Sequence, residues 1–135
     1  MELQECNRDI LYIEDDVIDI QGTQRELKKV NDIFSIEVAL DGEDALNKLY
    51  GRNGEQKIYP KVILLDINLP KMNGIDLLKT IRSDPALAET EVFVLTGTCI
   101  KADKLKMKGL NIKGHIVKPL GYGDALNVFW ATQHM

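Results

Sequence analysis

Histidine and cysteine are scarce in this sequence, with two of each: His115 and His134, Cys6 and Cys99. Neither pair has the spacing of a structural zinc site. Two thiols in a chain of 135 residues do not make a disulfide framework and read as free thiols of a reducing compartment. No apolar run approaches the roughly 20 residues that a membrane helix needs. The opening MELQECNRDI carries acids and lacks the apolar core of a secretory signal. The expectation is therefore a cytoplasmic chain with no membrane partner. A strong charge of one sign is missing too. The 17 basic and 21 acidic residues leave a net charge of −4, which argues against a polyanion binder. No aromatic residues interleave with the lysines, so nucleic acid is not an expected partner. There is no internal repeat, low-complexity tract or linker, which points to one domain over residues 1–135 with no output domain attached.

What is present is alternation. Short apolar runs at 9–15, 32–40, 61–66, 91–97 and 114–119 read as strands. Between and after them, helical spacing or helix punctuation covers 16–30, 41–51, 73–84, 100–109 and 122–134. In the first helix Val17, Ile20, Leu27 and Val30 fall on one face, although Gly22 weakens the pattern. The stretch RNGEQKIYP, 52–60, reads as a polar loop. Five strands alternating with five helices give a parallel α/β sheet covered on both faces.

The segment KVILLDINLPKMNG, 61–74, raises a question of cost. Val62, Ile63, Leu64 and Leu65 suit a strand buried on both faces, and Asp66 follows them directly. A buried carboxylate is expensive unless it is paired. In a parallel α/β sheet, ligands bind beyond the carboxyl ends of the strands. There the first strand ends in Glu14, Asp15 and Asp16, the third in Asp66, the fourth in Thr96 and the fifth in Lys118-Pro119. One acid at a strand end is more often a turn residue or a helix cap than a reacting group. Four strand ends converging on acids, a hydroxyl and an ammonium are harder to explain that way. Oxygen ligands without His or Cys favour Mg²⁺ or a similar hard cation. A carboxylate beside such a cation and a lysine is a plausible nucleophile for phosphoryl transfer.

The motifs YIEDD, LLDINLPKMNG, VLTGT and IVKP, in that order, span most of the chain. Through them the sequence resembles the receiver domain of two-component response regulators. The resemblance implies a flavodoxin-like five-stranded parallel sheet of order 2-1-3-4-5 with five helices on two faces. It also implies that Asp66 accepts a phosphoryl group and that Glu14 and Asp15 are the acidic pair that holds Mg²⁺, joined by Asp66 and the Asn68 backbone carbonyl. Asp16 is then a third acid outside the pair. Thr96 matches the hydroxyl that moves to the phosphoryl group, Lys118 the lysine that pairs with it, and Pro119 the residue after a cis peptide bond. Asn68 and Thr98 flank the path by which water would reach the site. His115 stands where the family usually has Tyr or Phe, a ring that swings inward when the Thr hydroxyl moves. Its ordinary pKa near 6.5 makes a pH-dependent gate conceivable, against the plainer reading of a surface residue. The segment before the third strand is several residues longer than is common. In this it is similar to the single-domain regulators associated with phytochrome-like sensors.

The implied partners are a sensor histidine kinase, phytochrome-like kinases among the candidates, or a phosphotransfer protein, and a downstream protein target. Lys101, Lys104, Lys106, Lys108 and Lys113 crowd the region between the fourth helix and the fifth strand. They read first as a solvated face and second as a docking face for an acidic partner. Phe129 and Trp130 are adjacent on the last helix, so one is expected in the core and the other exposed, where a homodimer or partner contact would form. The other function class is a Mg²⁺-dependent aspartyl-phosphate phosphohydrolase, an enzyme rather than a switch. Such hydrolases carry a second acid two residues after the nucleophile, and this chain has Asn68 there.

Overall fold

The computed structural model describes residues 6–97 and 101–133. Thr98, Cys99, Ile100 and His134 lie outside the described residues, as do the side chains of Cys6 and Lys101. Strands and helices alternate along the chain: β1 (Cys6–Ile13), α1 (Val17–Val30), β2 (Ile36–Ala39), α2 (Gly42–Tyr50), β3 (Ile58–Asp66), α3 (Gly74–Ser83), β4 (Glu91–Thr96), α4 (Lys101–Lys106), β5 (Gly114–Val117) and α5 (Tyr122–Gln133). All strand pairs are parallel, in the order β2-β1-β3-β4-β5, as expected.

The apolar runs of the central strands serve two cores at once, because successive side chains point to opposite faces. Leu11, Ile13, Ile63 and Leu65 face the core beneath α2 and α3, together with Leu77, Leu78 and Ile81. Ile10, Tyr12, Val62 and Leu64 face the other core, together with Leu27 of α1 and Val128 of α5. A strand covered on both faces has no polar side to show, which is why 62–65 reads as an unbroken apolar run.

Several boundaries differ from the sequence reading. β1 ends at Ile13, so Glu14, Asp15 and Asp16 belong to the loop beyond the strand. β2 is only four residues long, because 32–35 turn before it. β3 begins at Ile58 rather than Lys61, and its first residues pair with Cys6, Asn7 and Arg8 of β1. β4 joins only from Val62, so Pro60 sits where the strand has a neighbour on one side alone and its missing N–H is tolerated. The loop before β3 is correspondingly short and turns through left-handed residues at Gly51, Asn53 and Gly54. Val17, assigned to the buried face of α1, is instead 63% exposed at the mouth of the helix.

Side chains cap the helices and fix the loops. Asp16 caps α1 by accepting from the Ile18 and Asp19 N–H groups, at 2.9 and 3.1 Å. Asn73 caps α3 by accepting from Ile75 N–H at 2.7 Å. Arg82 donates to the carbonyls of Leu110, Ala88 and Asn111 at 2.6, 2.9 and 2.9 Å, tying the loops that lead into β4 and β5 to α3.

Gly74 is required by close approach. A Cβ there would lie 2.5 Å from Ile67 Cα and 2.7 Å from the Asp66 carbonyl oxygen, both backbone atoms at the end of β3. Gly22, in mid-helix, has nothing within 4 Å of the same position. Gly74→Ala is therefore expected to destabilise the fold by about 2–3 kcal/mol through overpacking. Gly22→Ala is expected to stabilise it by about 0.5–1 kcal/mol through helix propensity. Urea unfolding of the two variants checks both signs.

Candidate functional site

The site is built at the carboxyl ends of β1, β3, β4 and β5, where backbone bonds hold each strand end to the next. Glu14 N–H donates to the Ala39 carbonyl at 2.9 Å, Ile67 N–H to Leu95 at 3.2 Å, and Lys118 N–H to Thr96 at 2.8 Å. These bonds fix where Glu14, Asp66, Thr96 and Lys118 start, and the side chains do the rest. Glu14 is fully buried, Asp66 is 3% exposed and Thr96 is 7% exposed. Asp15 and Asn68 are exposed at the rim.

The Lys118 ammonium lies among three carboxylates. Nζ is 2.7 Å from Glu14 Oε1, 2.9 Å from Asp66 Oδ2 and 3.0 Å from Asp19 Oδ2. The other Asp66 oxygen, Oδ1, accepts from Asn68 N–H at 2.9 Å. Burial by itself would lower the Lys118 pKa, but the bonds to Glu14, Asp66 and Asp19 outweigh it and raise the value, so the ammonium stays charged. For Glu14, burial first and the neighbouring Asp66 second push the carboxyl up to about 7, against the pull of Lys118. Tyr12, fully buried on β1, extends the network. Its hydroxyl is 3.3 Å from Glu14 Oε1, 3.1 Å from Thr23 Oγ1 and 3.5 Å from the Asp19 carbonyl. Burial raises the Tyr12 pKa, so the phenol remains a donor.

Glu14, Asp15 and Asp66 each bring one oxygen within 4.8 Å of the others. The donor set is all oxygen, part buried and part open to solvent, in a cleft of about 560 Å³ that Asn68, Asp19 and Lys118 also line. That chemistry fits a hard divalent cation such as Mg²⁺. The expected residues Glu14, Asp15, Asp66, Asn68, Thr96 and Lys118 thus come together, and the Lys118–Pro119 peptide bond is cis. Asp16 lies at the rim and spends its carboxylate on capping α1.

His115 stands apart from this group. It is exposed on β5, opposite Val94 of β4, and faces the concavities on either side of the strand. Its inward position beneath Thr96 is not the one adopted here. Burial of part of the ring and then the charge of Lys104 lower its pKa, which favours neutral imidazole.

Two participants were not singled out in the sequence. Asp19 is in the first turn of α1. Tyr12 is two positions before Glu14 and therefore points to the same side of the sheet. That spacing was the available signal.

A model of the response regulator receiver domain matches residues 10–128. A two-component response regulator from Legionella pneumophila is 53% identical, with a TM-score of 0.90 over 95% of this chain and 99% of that one. The bacteriophytochrome response regulator RtBRR is 29% identical, with a TM-score of 0.82 over 95% of this chain and 79% of that one. The probable methanogenesis regulatory protein FilR2 of Methanothrix harundinacea (strain 6Ac) is 29% identical over 115 residues, which are 85% of this chain and 74% of that protein. Other relatives are longer, and the chain spans 50% and 36% of two of them.

The raised Glu14 pKa carries a stability consequence. A carboxyl at about 7 in the fold and about 4.5 unfolded contributes stability that is fully present below about 4.5 and lost as pH rises through about 7. Metal-free protein is therefore expected to lose on the order of 3 kcal/mol from this group across that window. Glu14→Gln should remove that component, so the difference between the two unfolding free energies measured from pH 4.5 to 8 isolates it.

Proposed function

The chain belongs to the response regulator receiver domain family of two-component signalling, and from that premise we propose that it is a Mg²⁺-dependent phosphoacceptor with Asp66 as the acceptor. One observation carries the reading: a buried aspartate at the end of a central strand has one oxygen on a backbone N–H and the other on a half-buried lysine, beside two further acids. An Asp66 oxygen forms a bond to phosphorus while the donor's phosphorus–nitrogen bond breaks, leaving an acyl phosphate on Asp66 and a histidine on the kinase or phosphotransfer protein. A bound cation neutralises charge on the phosphoryl oxygens. Glu14, Asp15, Asp66 and the Asn68 carbonyl would hold it. Lys118 supplies the second neutralising charge by leaving the Asp66 carboxylate for a phosphoryl oxygen, and Thr96, at the adjacent strand end, supplies a hydroxyl. A phosphohydrolase acting on external substrates would want an acid two residues beyond Asp66, and Asn68 offers an amide there.

The chain's similarity to RtBRR supports a phytochrome-like sensor kinase as the donor. We place its response surface, for a downstream protein or a second copy, on the face formed by α4, β5 and α5. Trp130 is 56% exposed there while Phe129 turns inward and packs edge-on against Phe34, at 6.0 Å between ring centres. Val117 and Leu105 add exposed apolar surface, and Lys104, Lys106, Lys108 and Lys113 surround it with positive charge.

Incubation with acetyl phosphate and Mg²⁺ should add one acid-labile phosphoryl group, detected as a mass shift. Chelation of the metal or Asp66→Asn should abolish it. Labelling of Asp66→Asn at the wild-type level would sink the assignment.

Trp130→Ala is expected to weaken self-association of the phosphorylated protein by tenfold or more, as removal of a central aromatic anchor does. Sedimentation at several concentrations measures this, and a wild type that stays monomeric throughout removes the homodimer.

A further inference from the structure

We propose that Tyr12 is a positioning residue for the metal site, its hydroxyl holding Glu14 so that one carboxylate oxygen stays turned to the cation throughout phosphoryl transfer. The inference rests on the receiver reading and goes beyond it by assigning a role to a core tyrosine.

The two oxygens of Glu14 are not equivalent. Oε1 faces the Lys118 ammonium at 2.7 Å and the Tyr12 hydroxyl at 3.3 Å. Oε2 accepts from the Asp16 N–H at 3.3 Å, with no lysine or hydroxyl donor on it among the described residues. Two donors on Oε1 leave Oε2 as the oxygen available to a cation. The Tyr12 distance is long for a hydroxyl bond, as expected where an ammonium shares the same acceptor.

These two donors have different fates. Lys118 also binds Asp66, and it must exchange partners when Asp66 becomes an acyl phosphate. Tyr12 has no such alternative. Its ring is fully buried in the core beneath α1 and α5, among Ile10, Leu27 and Val62. Its hydroxyl can point only at Glu14, at Thr23 or at the Asp19 carbonyl. Thr23, 5% exposed on α1, can donate to the phenol oxygen, which leaves the phenol proton for Glu14 Oε1. When Lys118 moves, the Tyr12 hydroxyl is the donor that remains on Oε1. Groups that hold a ligand in this way set metal affinity rather than the chemical step.

Tyr12→Phe deletes one oxygen and keeps the ring in its core. Calorimetric titration with MgCl₂, without any phosphodonor, is expected to show affinity about tenfold lower than wild type. The Mg²⁺ concentration for half-maximal labelling by acetyl phosphate should rise in parallel, while the rate at saturating Mg²⁺ stays near that of wild type. A merely structural role for the hydroxyl would lower stability without this split. A second measurement needs no variant: the ring Cζ resonance of Tyr12, identified through its contact with Thr23, should shift in wild-type protein on addition of MgCl₂. An unshifted resonance, or a folded Tyr12→Phe with wild-type Mg²⁺ affinity, overturns the inference while leaving the receiver reading intact. Wild-type protein that neither binds Mg²⁺ nor takes up phosphoryl would overturn both.

Discussion

Three carboxylates converge on one ammonium at the carboxyl edge of the sheet, and this charge balance is the constraint on which the site depends. Glu14 and Asp66 are nearly excluded from solvent, each directly after four residues that are fully buried, 10–13 in β1 and 62–65 in β3. Two buried carboxylates so close together would repel each other and forgo hydration. Lys118 offsets that cost by meeting both, with Asp19 as a third partner from α1. The balance is incomplete, since three acids exceed one lysine, and burial first and Asp66 second push the Glu14 carboxyl up. A cation binding there removes a strain that folding has already created.

The same arrangement is compatible with the proposed switch. Of the three carboxylates that Lys118 touches, Glu14 and Asp66 belong to the group that could hold a cation. Its own attachment to the frame is the backbone bond from its N–H to the Thr96 carbonyl, so the ammonium can change partners while its Cα stays in place. Around it the frame has little freedom. Gly74 brings the start of α3 against the backbone of Asp66 and Ile67, and Asn73 caps that helix from the loop that carries Asn68. Asp66, the proposed acceptor, is thus held in place by the backbone around it, and the lysine is the adjustable member. At the amino ends of β4 and β5, Arg82 binds backbone carbonyls from the loops that lead into these strands, which keeps the α4–β5 region attached to α3 away from the site.

Much of this was legible in the residues. The alternation of apolar runs with helical spacing gave five strands and five helices, because burial on two faces and burial on one face leave different periods. The acids, the hydroxyl and the lysine could be assigned to one edge because a parallel sheet points all its strand ends the same way. Boundaries were harder. The start of β3 was hidden by Tyr59 and Pro60, residues acceptable where a strand has one neighbour and unreadable without knowing that. Val17 fitted the helical stripe yet came out exposed, because the first turn of α1 projects past the sheet that covers the rest.

The sequence by itself determined the fold class, the strand order through its family resemblance, and the residues gathered at the sheet edge. Those depend on local periodicity and on motif order, which one chain read from end to end contains. Only the tertiary structure decided the partners. That Asp16 caps a helix while Asp19 reaches Lys118, that Tyr12 meets Glu14 and Thr23 across the β1–α1 turn, and that His115 faces outward all depend on where separate elements are packed. Each follows from distances of a few ångströms between residues remote in sequence or on different elements, and such distances are set by the packing of the whole core.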